Sequence, residues 1–375
     1  MIPSMRILHL EAGRHLYGGA AQVRYLIDGL TAAGVDNVLV CAAGSALAGA
    51  PPAGRSLATP LHGDLDLGML PKLVRAIRAT RPDLVHVHSR RGADVYAGVA
   101  AAITGVPAVL TRRVDSAEPR WVVRLKCRPY AAVVALSRAI ETQLAAAGVG
   151  AARLQRIPSA VDTALYRPDA AARARVLAEF ALPDDALVVG VVAQLIERKG
   201  HGRLLAALPE LLAAEPRVRV LCFGRGPLER RLARAIAGRD LARTVTLAGF
   251  RDDLPQLLPG LDLVAHPADR EGLGLALLEA AAAGVPVVAC AAGGVPDVVD
   301  DGVTGALVPF HDPAALRFAM LKLLASPAER ARLGAAARAR AERCFGVAGL
   351  VASHVSLYER VLGERVAGVA RPVSR

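Results

Sequence analysis

The sequence predicts an α/β protein made of two Rossmann-like domains, and three observations carry that expectation. The chain has 375 residues, enough for two domains of ordinary size, each with its own core. It is 53% hydrophobic but only 3% aromatic, so the core is built from Ala, Val and Leu, as in parallel sheets buried on both faces. Short apolar runs alternate with helical sequence twice over, the pattern of parallel strands joined by crossover helices.

Residues 6–10 are a short apolar run, followed by a loop with Gly13, Gly18 and Gly19 and a helical stretch over 20–33. Strand, glycine loop and helix make the opening unit of a Rossmann-like domain. The glycines are not spaced as G-x-G-x-x-G, and no acidic residue ends a clean second strand to hold an adenosine ribose, which disfavours a dinucleotide dehydrogenase. Further strands are expected at 37–41, 83–88, 108–111 and 132–136. A turn-rich linker follows near Pro158 to Pro168. The second half repeats the alternation, with strands expected at 187–193, 218–223, 244–247, 261–265 and 285–289. Two such domains facing each other would make a cleft lined by strand carboxyl ends, where ligands of these folds bind.

The rest of the chain is organised around residues 266–305. Two glutamates, Glu271 and Glu279, stand eight positions apart, with Gly272, Leu273 and Gly274 between them and an Ala/Leu-rich helix following. A helix that opens on glycines presents unpaired N–H groups and about half a positive charge, a place for a phosphate. Glu271 should sit in the loop at the mouth of the site and Glu279 about two turns inside the helix. A carboxylate can accept from two adjacent hydroxyls, so the spacing suits a nucleotide-sugar with its ribose inward, its diphosphate over the glycines and its hexose outward. Gln194 to Gly200 follows the first strand of the second half. There Lys199 can meet a diphosphate and stabilise the charge that grows as a glycosidic bond breaks.

The E-x7-E pattern, His266-Pro267 before it, and Ala283-Gly284-Val285-Pro286-Val287-Val288 and Gly293-Gly294 after it resemble the family 4 retaining glycosyltransferases, which have the GT-B fold. Gly224-Arg225-Gly226-Pro227 and Ala248-Gly249-Phe250 fit as well. The resemblance implies that Glu271 holds hydroxyls of the donor sugar, that Glu279 holds the ribose, and that Lys199 with the 272–274 amides holds the diphosphate. It also implies that Gly18 and Gly19 approach the donor phosphates and the acceptor, and that Gly249, Phe250 and Arg251 lie beside the base. Many relatives have an arginine at Gln194, which puts a second cation in doubt, with Arg198 or Arg270 as substitutes. A histidine near the donor sugar is replaced by Arg113, and an Asn-Gly by Ser159-Ala160.

The implied organisation is an acceptor-binding domain over 1–163, a nucleotide-sugar-binding domain over 164–346, a terminal helix over 347–362 that crosses back, and a frayed tail over 363–375. No cofactor and no bound metal are implied, the nucleoside-diphosphate-sugar being the donor substrate and a glycan or glycolipid the acceptor. The rival classes are a non-hydrolysing nucleotide-sugar epimerase of the same fold and a non-catalytic partner subunit.

The formal net charge of +12 comes almost wholly from arginine, and a basic surface favours nucleic acid, anionic membrane or phosphorylated ligands. Nucleic acid is the weakest of these, because aromatics are sparse and the basic residues follow no recognisable module. The stretch 112–130, ending on Tyr130, holds the single tryptophan, Trp121, among Arg112, Arg113, Arg120, Arg124, Lys126 and Arg128. It reads either as a contact for anionic membrane or as a solvated helix with Trp121 in the core.

Five cysteines without a C-x-x-C pair fit a reducing compartment. The N-terminus does not read as a signal peptide, and Met5 is an alternative start. A cytoplasmic protein is expected, at most peripheral to the inner face of a membrane. Asp64-Leu65-Asp66 reads as a helix cap and solvated turn rather than a metal motif. His86 and His88 share one face of a strand and suit a metal only if further ligands converge; otherwise they are structural.

Overall fold

The computed structural model describes residues 5–15, 18–63, 66–90, 92–115 and 118–369. The chain divides into two units, Met1–Ala160 with Val347–Arg375, and Val161–Gly346.

Unit 1 runs β1 (Arg6–Glu11), α1 (Gly18–Ala32), β2 (Asp36–Ala42), α2 (Ala46–Gly49), β3 (Arg55–Thr59), α3 (Met69–Thr80), β4 (Leu84–Val87), α4 (Ala93–Thr104), β5 (Ala108–Arg112), α5 (Arg120–Cys127), β6 (Ala132–Ala135), α6 (Arg138–Ala146) and β7 (Leu154–Arg156). Its sheet has the order β3-β2-β1-β4-β5-β6-β7, and the pairings are parallel. Unit 2 runs α7 (Ala172–Glu179), β8 (Leu187–Val192), α8 (His201–Ala214), β9 (Val218–Phe223), α9 (Glu229–Ala237), β10 (Val245–Gly249), α10 (Leu254–Leu257), β11 (Leu263–His266), α11 (Leu275–Ala282), β12 (Val287–Cys290), α12 (Val295–Val298), β13 (Ala306–Val308), α13 (Pro313–Leu324) and α14 (Pro327–Cys344). Its parallel sheet has the order β10-β9-β8-β11-β12-β13. In both sheets the strand order reverses beside the first strand, which places a crevice at the carboxyl ends there.

The final helix, α15 (Val347–Val369), returns to unit 1. Leu350, Leu357, Tyr358 and Val361 pack with Ile7, Leu26, Leu30 and Val134 in one buried cluster. The helix runs to Val369, past the expected end at 362, and residues 370–375 of the expected tail lie outside the described residues. The ten expected strands are present with ends shifted by up to two residues. Strands β3, β7 and β13 were not anticipated. β3 and β7 are edge strands with mostly part-exposed or exposed residues, and β13 is a three-residue edge strand, so none carries the continuous apolar run that marks a buried one.

Among the described residues no helix is long and apolar enough to cross a membrane. The apolar stretch after Gly272 is broken into α11, β12 and α12. Cys41, Cys127, Cys222 and Cys290 are buried, Cys344 is exposed, and all are free thiols.

Candidate active site

Loops at the strand carboxyl ends of unit 2 bring Lys199, Glu271 and His266 together. After β8 the chain makes a single 3-10 turn over Glu197–Lys199, and Gly200 ends it at φ 73°. A side chain there is excluded, since a Cβ would lie 1.9 Å from the carbonyl oxygen of Pro267. The turn is laced to the loop after β11: Asp269 N–H donates to the Arg198 carbonyl at 3.0 Å, Arg198 Nη1 to the Arg270 carbonyl at 3.1 Å, and Arg203 Nη2 to the Pro267 carbonyl at 2.8 Å. This lacing aims Lys199 Nζ at Glu271 Oε2, and the two form an ion pair with both side chains 12% exposed.

Glu271 is held from four sides. Its Oε2 also meets His266 Nε2 at 3.1 Å, its Oε1 accepts the Gly272 N–H at 3.2 Å, and its carbonyl accepts the Gly294 N–H at 3.0 Å. Burial works against its charge, but the His266 hydrogen bond and the Lys199 charge outweigh it and hold the carboxyl well below the usual range. His266, the buried last residue of β11, is itself pushed down by burial; as a neutral ring it donates Nε2–H to Glu271.

Helix α11 opens on Gly274, whose φ of 102° makes the turn into the first helical residue. Glu279 is the fifth residue of α11, about one turn inside at 3.6 residues per turn rather than two, because the glycine turn extends to Gly274 before the helix begins. Burial raises its carboxyl to about 7, opposed by a hydrogen bond with Tyr166. That partner is 113 positions away in sequence, and no local signal announces it. His201, the first residue of α8, is another group without such a signal. It is buried with neither ring nitrogen hydrogen-bonded, and burial, then Lys199 and His266, push it down to about 4.

Among the other expected residues, Gln194 lies in the loop after β8, where Leu195 N–H donates to the Arg225 carbonyl at 3.1 Å. Gly249 ends β10 with φ 70°, and Phe250 beside it is 41% exposed. Arg251 does not offer a free guanidinium: it is clamped by Glu179 and, at 2.5–2.7 Å, by Asp253. Arg198 donates to a carbonyl as described, and Arg270 is exposed. Gly18 and Gly19 form the first turn of α1 in unit 1.

The Asp64–Asp66 reading changes with the structure, and the His86–His88 pair gains a neighbour while remaining structural. Asp64 and Leu65 lie outside the described residues, and Asp66 does not cap a helix. Gly68 stands at the start of α3, while Asp66 accepts the His62 N–H at 3.1 Å and pairs with Lys72 at 3.4 Å. A third imidazole, His9, joins His86 and His88, since its strand neighbour across β1 and β4 is His86. Their ligand atoms all lie within 4.8 Å of one another, but the nitrogens are already spent on hydrogen bonds. His86 meets Tyr358 OH at 2.6 Å and Thr111 Oγ1 at 2.7 Å, and His9 and His88 bond to each other.

These elements have the arrangement of the GT-B fold, and the comparisons agree. The chain belongs to the family 4 glycosyltransferases: the model "Glycosyltransferase Family 4" matches residues 17–165 and "Glycosyl transferases group 1" matches residues 173–340. A GDP-mannose-dependent alpha-(1-6)-phosphatidylinositol monomannoside mannosyltransferase of Mycolicibacterium smegmatis is 37% identical over 55% of this chain and 56% of its own. A sulfoquinovosyl transferase of Arabidopsis thaliana is 30% identical over 74% of this chain and 57% of its own. The chain thus spans little more than half the length of these curated relatives. The crystal structure of Anabaena HepE in complex with UDP and glucose superposes with a TM-score of 0.84 over 95% of this chain and all of that one, at 24% identity.

Proposed function

We propose that the protein moves a sugar from a nucleoside-diphosphate-sugar to a hydroxyl acceptor with retention of configuration and without a bound metal. The observation that carries this reading is the Lys199–Glu271–His266 cluster set beside the glycine-opened start of α11. Lys199 and the amides of Leu273 and Gly274 would take the diphosphate, the Gly272 N–H being held by Glu271, and a cation fixed there favours the departing charge over the ground state. Glu271, with its oxygens already oriented by His266 and Gly272, would accept from hydroxyls of the donor sugar. Glu279 would accept from the ribose, and Phe250 offers a face to the base. Gln194, Arg198, Gly249 and Arg251 would line the rest of the donor pocket, with Arg251 as a brace rather than a contact, because two carboxylates already hold it.

The product class proposed is a cell-envelope glycan, a lipopolysaccharide or an exopolysaccharide. Supporting this, Trp121 and Leu125 of α5 are 70% and 62% exposed and one turn apart, beside exposed Arg120, Arg124 and Arg128. Trp121 is therefore not in the core. Val95, Val99 and Ile103 form an exposed apolar row on α4, and exposed apolar rows beside basic residues fit an anionic lipid surface. Arg112, Arg113 and Lys126 take no part in it, since they hydrogen-bond inward to Glu118, His88 and Asp94.

The test is turnover of a panel of nucleotide-sugars with and without a membrane-lipid acceptor extract, followed by NMR of the anomeric centre. Release of nucleoside diphosphate together with a retained glycoside supports the reading. A new sugar isomer from donor alone would move the epimerase ahead, and donor binding without turnover would favour the partner subunit.

A further inference from the structure

Unit 1 holds a second cationic centre, Arg113, that the donor site of unit 2 does not use. In the order β3-β2-β1-β4-β5-β6-β7 the strand sequence reverses between β1 and β4, and the crevice at the carboxyl ends of such a reversal is where α/β sheets take ligands. Glu11 ends β1, His88 follows β4, and Arg113 follows β5, so the three meet at that crevice. The side chain of Arg113 runs beside the first turn of α1, since a methyl placed on Gly19 would lie 3.7 Å from its Cδ.

The guanidinium is held by a chain of hydrogen bonds whose direction is fixed from its far end. Asn37 donates Nδ2–H to Thr31 Oγ1 and the Val35 carbonyl, both at 2.9 Å, so its Oδ1 accepts from His9 Nε2–H at 3.0 Å. A neutral His9 then accepts at Nδ1 from His88 Nε2–H at 3.0 Å, and His88 accepts at Nδ1 from Arg113 Nη2–H at 3.3 Å. Both imidazoles are neutral, because burial pushes His9 down to about 4 and His88 well below its usual range. They position the guanidinium but cannot balance its charge.

No carboxylate among the described residues lies within ion-pair distance of Arg113, and its Nε–H is buried without a hydrogen-bond partner. Burial pulls the group down to about 10 even though the Glu11 charge acts the other way. A guanidinium has five donors in a planar fork suited to an oxyanion, and here one is spent on a lone pair.

We propose that Arg113 anchors an anion subsite in unit 1, which takes a carboxylate or phosphate carried by the substrate bound there. The substrate class is thereby an acidic one, whether the acid is carried by a nucleotide-sugar or by an acceptor. The subsite rests on the glycosyltransferase reading and adds to it the charge of what is recognised.

Calorimetric titration of the protein with paired probes tests this and separates the two sources. One arm compares UDP-glucuronate with UDP-glucose; the other, with UDP or GDP present, compares inositol 3-phosphate with inositol. In one arm the acidic member should bind at least about tenfold tighter, roughly 1.4 kcal/mol. Arg113→Gln should abolish that preference and Arg113→Lys should keep part of it, with UDP or GDP alone binding both variants as it binds wild type. The lysine variant decides the matter if the glutamine variant does not fold. Absence of a charge preference in both arms, or its survival in Arg113→Gln, overturns the subsite while leaving the donor site standing. Absence of binding by UDP, GDP and ADP alike to wild type overturns the donor reading and the subsite with it.

Discussion

Each unit carries a desolvated cation at the carboxyl ends of its strands, and the two are balanced in opposite ways. In unit 2, Lys199 faces the carboxylate of Glu271, which is oriented by His266 and the Gly272 amide. In unit 1, Arg113 leans on the lone pair of a neutral histidine, with no carboxylate at ion-pair distance among the described residues. A paired cation is cheap to keep buried and must exchange its partner when a ligand arrives. An unpaired one costs stability in the free protein and is preset for an anion. The first arrangement suits a group that trades Glu271 for a diphosphate while Glu271 turns to a sugar; the second suits recognition.

The sharpest way to break this contrast is to remove Lys199. Lys199→Ala should lower kcat/KM by a hundredfold or more, about 3 kcal/mol of transition-state stabilisation. It should also lower stability, since it strands Glu271 as a buried charge. Steady-state kinetics and thermal unfolding check both. Kinetics within threefold of wild type would remove Lys199 from the chemistry.

A smaller effect should come from Glu279. With its carboxyl raised to about 7, the folded protein holds a proton between about 4.5 and 7 that the unfolded chain has released. The contribution of this group to stability is therefore present at low pH and lost as pH rises through that window. Relative to Glu279→Gln, wild type should lose stability between pH 5 and pH 8. If a ribose diol donates to the carboxylate, nucleotide binding favours the ionised form. Binding at pH 6 should then release close to one proton, and at pH 8 almost none, as read by calorimetry in buffers of different ionisation enthalpy. The Gln variant should release none from this site.

Smaller still, Trp121→Ser with Leu125→Ser should reduce sedimentation with vesicles containing anionic lipid by several-fold, leaving turnover of a soluble acceptor unchanged. Equal sedimentation would free α5 of any lipid role. Arg251→Ala should lower the melting temperature by a few degrees through loss of its bridge to Glu179 and Asp253, with nucleotide affinity changed less than about threefold. A larger affinity loss would restore Arg251 as a direct contact.

Much of the fold was legible because buried parallel strands leave continuous apolar runs, as in 187–192 and 218–223. The edge strands β3 and β7 were not legible, since a half-exposed strand such as Arg55–Thr59 has no such run. Within the candidate site, the placing of Lys199 and Glu271 in loops after strands and of Glu279 inside a helix could be read from glycine spacing and strand-end position. Their environment could not. Tyr166 reaches Glu279, and His9 reaches His88, across separations that only the folded sheets close. Charge type could be read from sequence, but whether a charge was spent could not: Arg251 and Arg113 look alike as letters, yet one is doubly paired and the other is not.

The central claim is that unit 2 holds a nucleoside diphosphate through Lys199 and Glu279. Its most direct test is calorimetric titration of UDP, GDP and ADP into wild type, Lys199→Ala and Glu279→Ala. One nucleotide should bind wild type, with each substitution weakening it at least about tenfold. Binding of none of the three, or equal binding by both variants, would contradict the account.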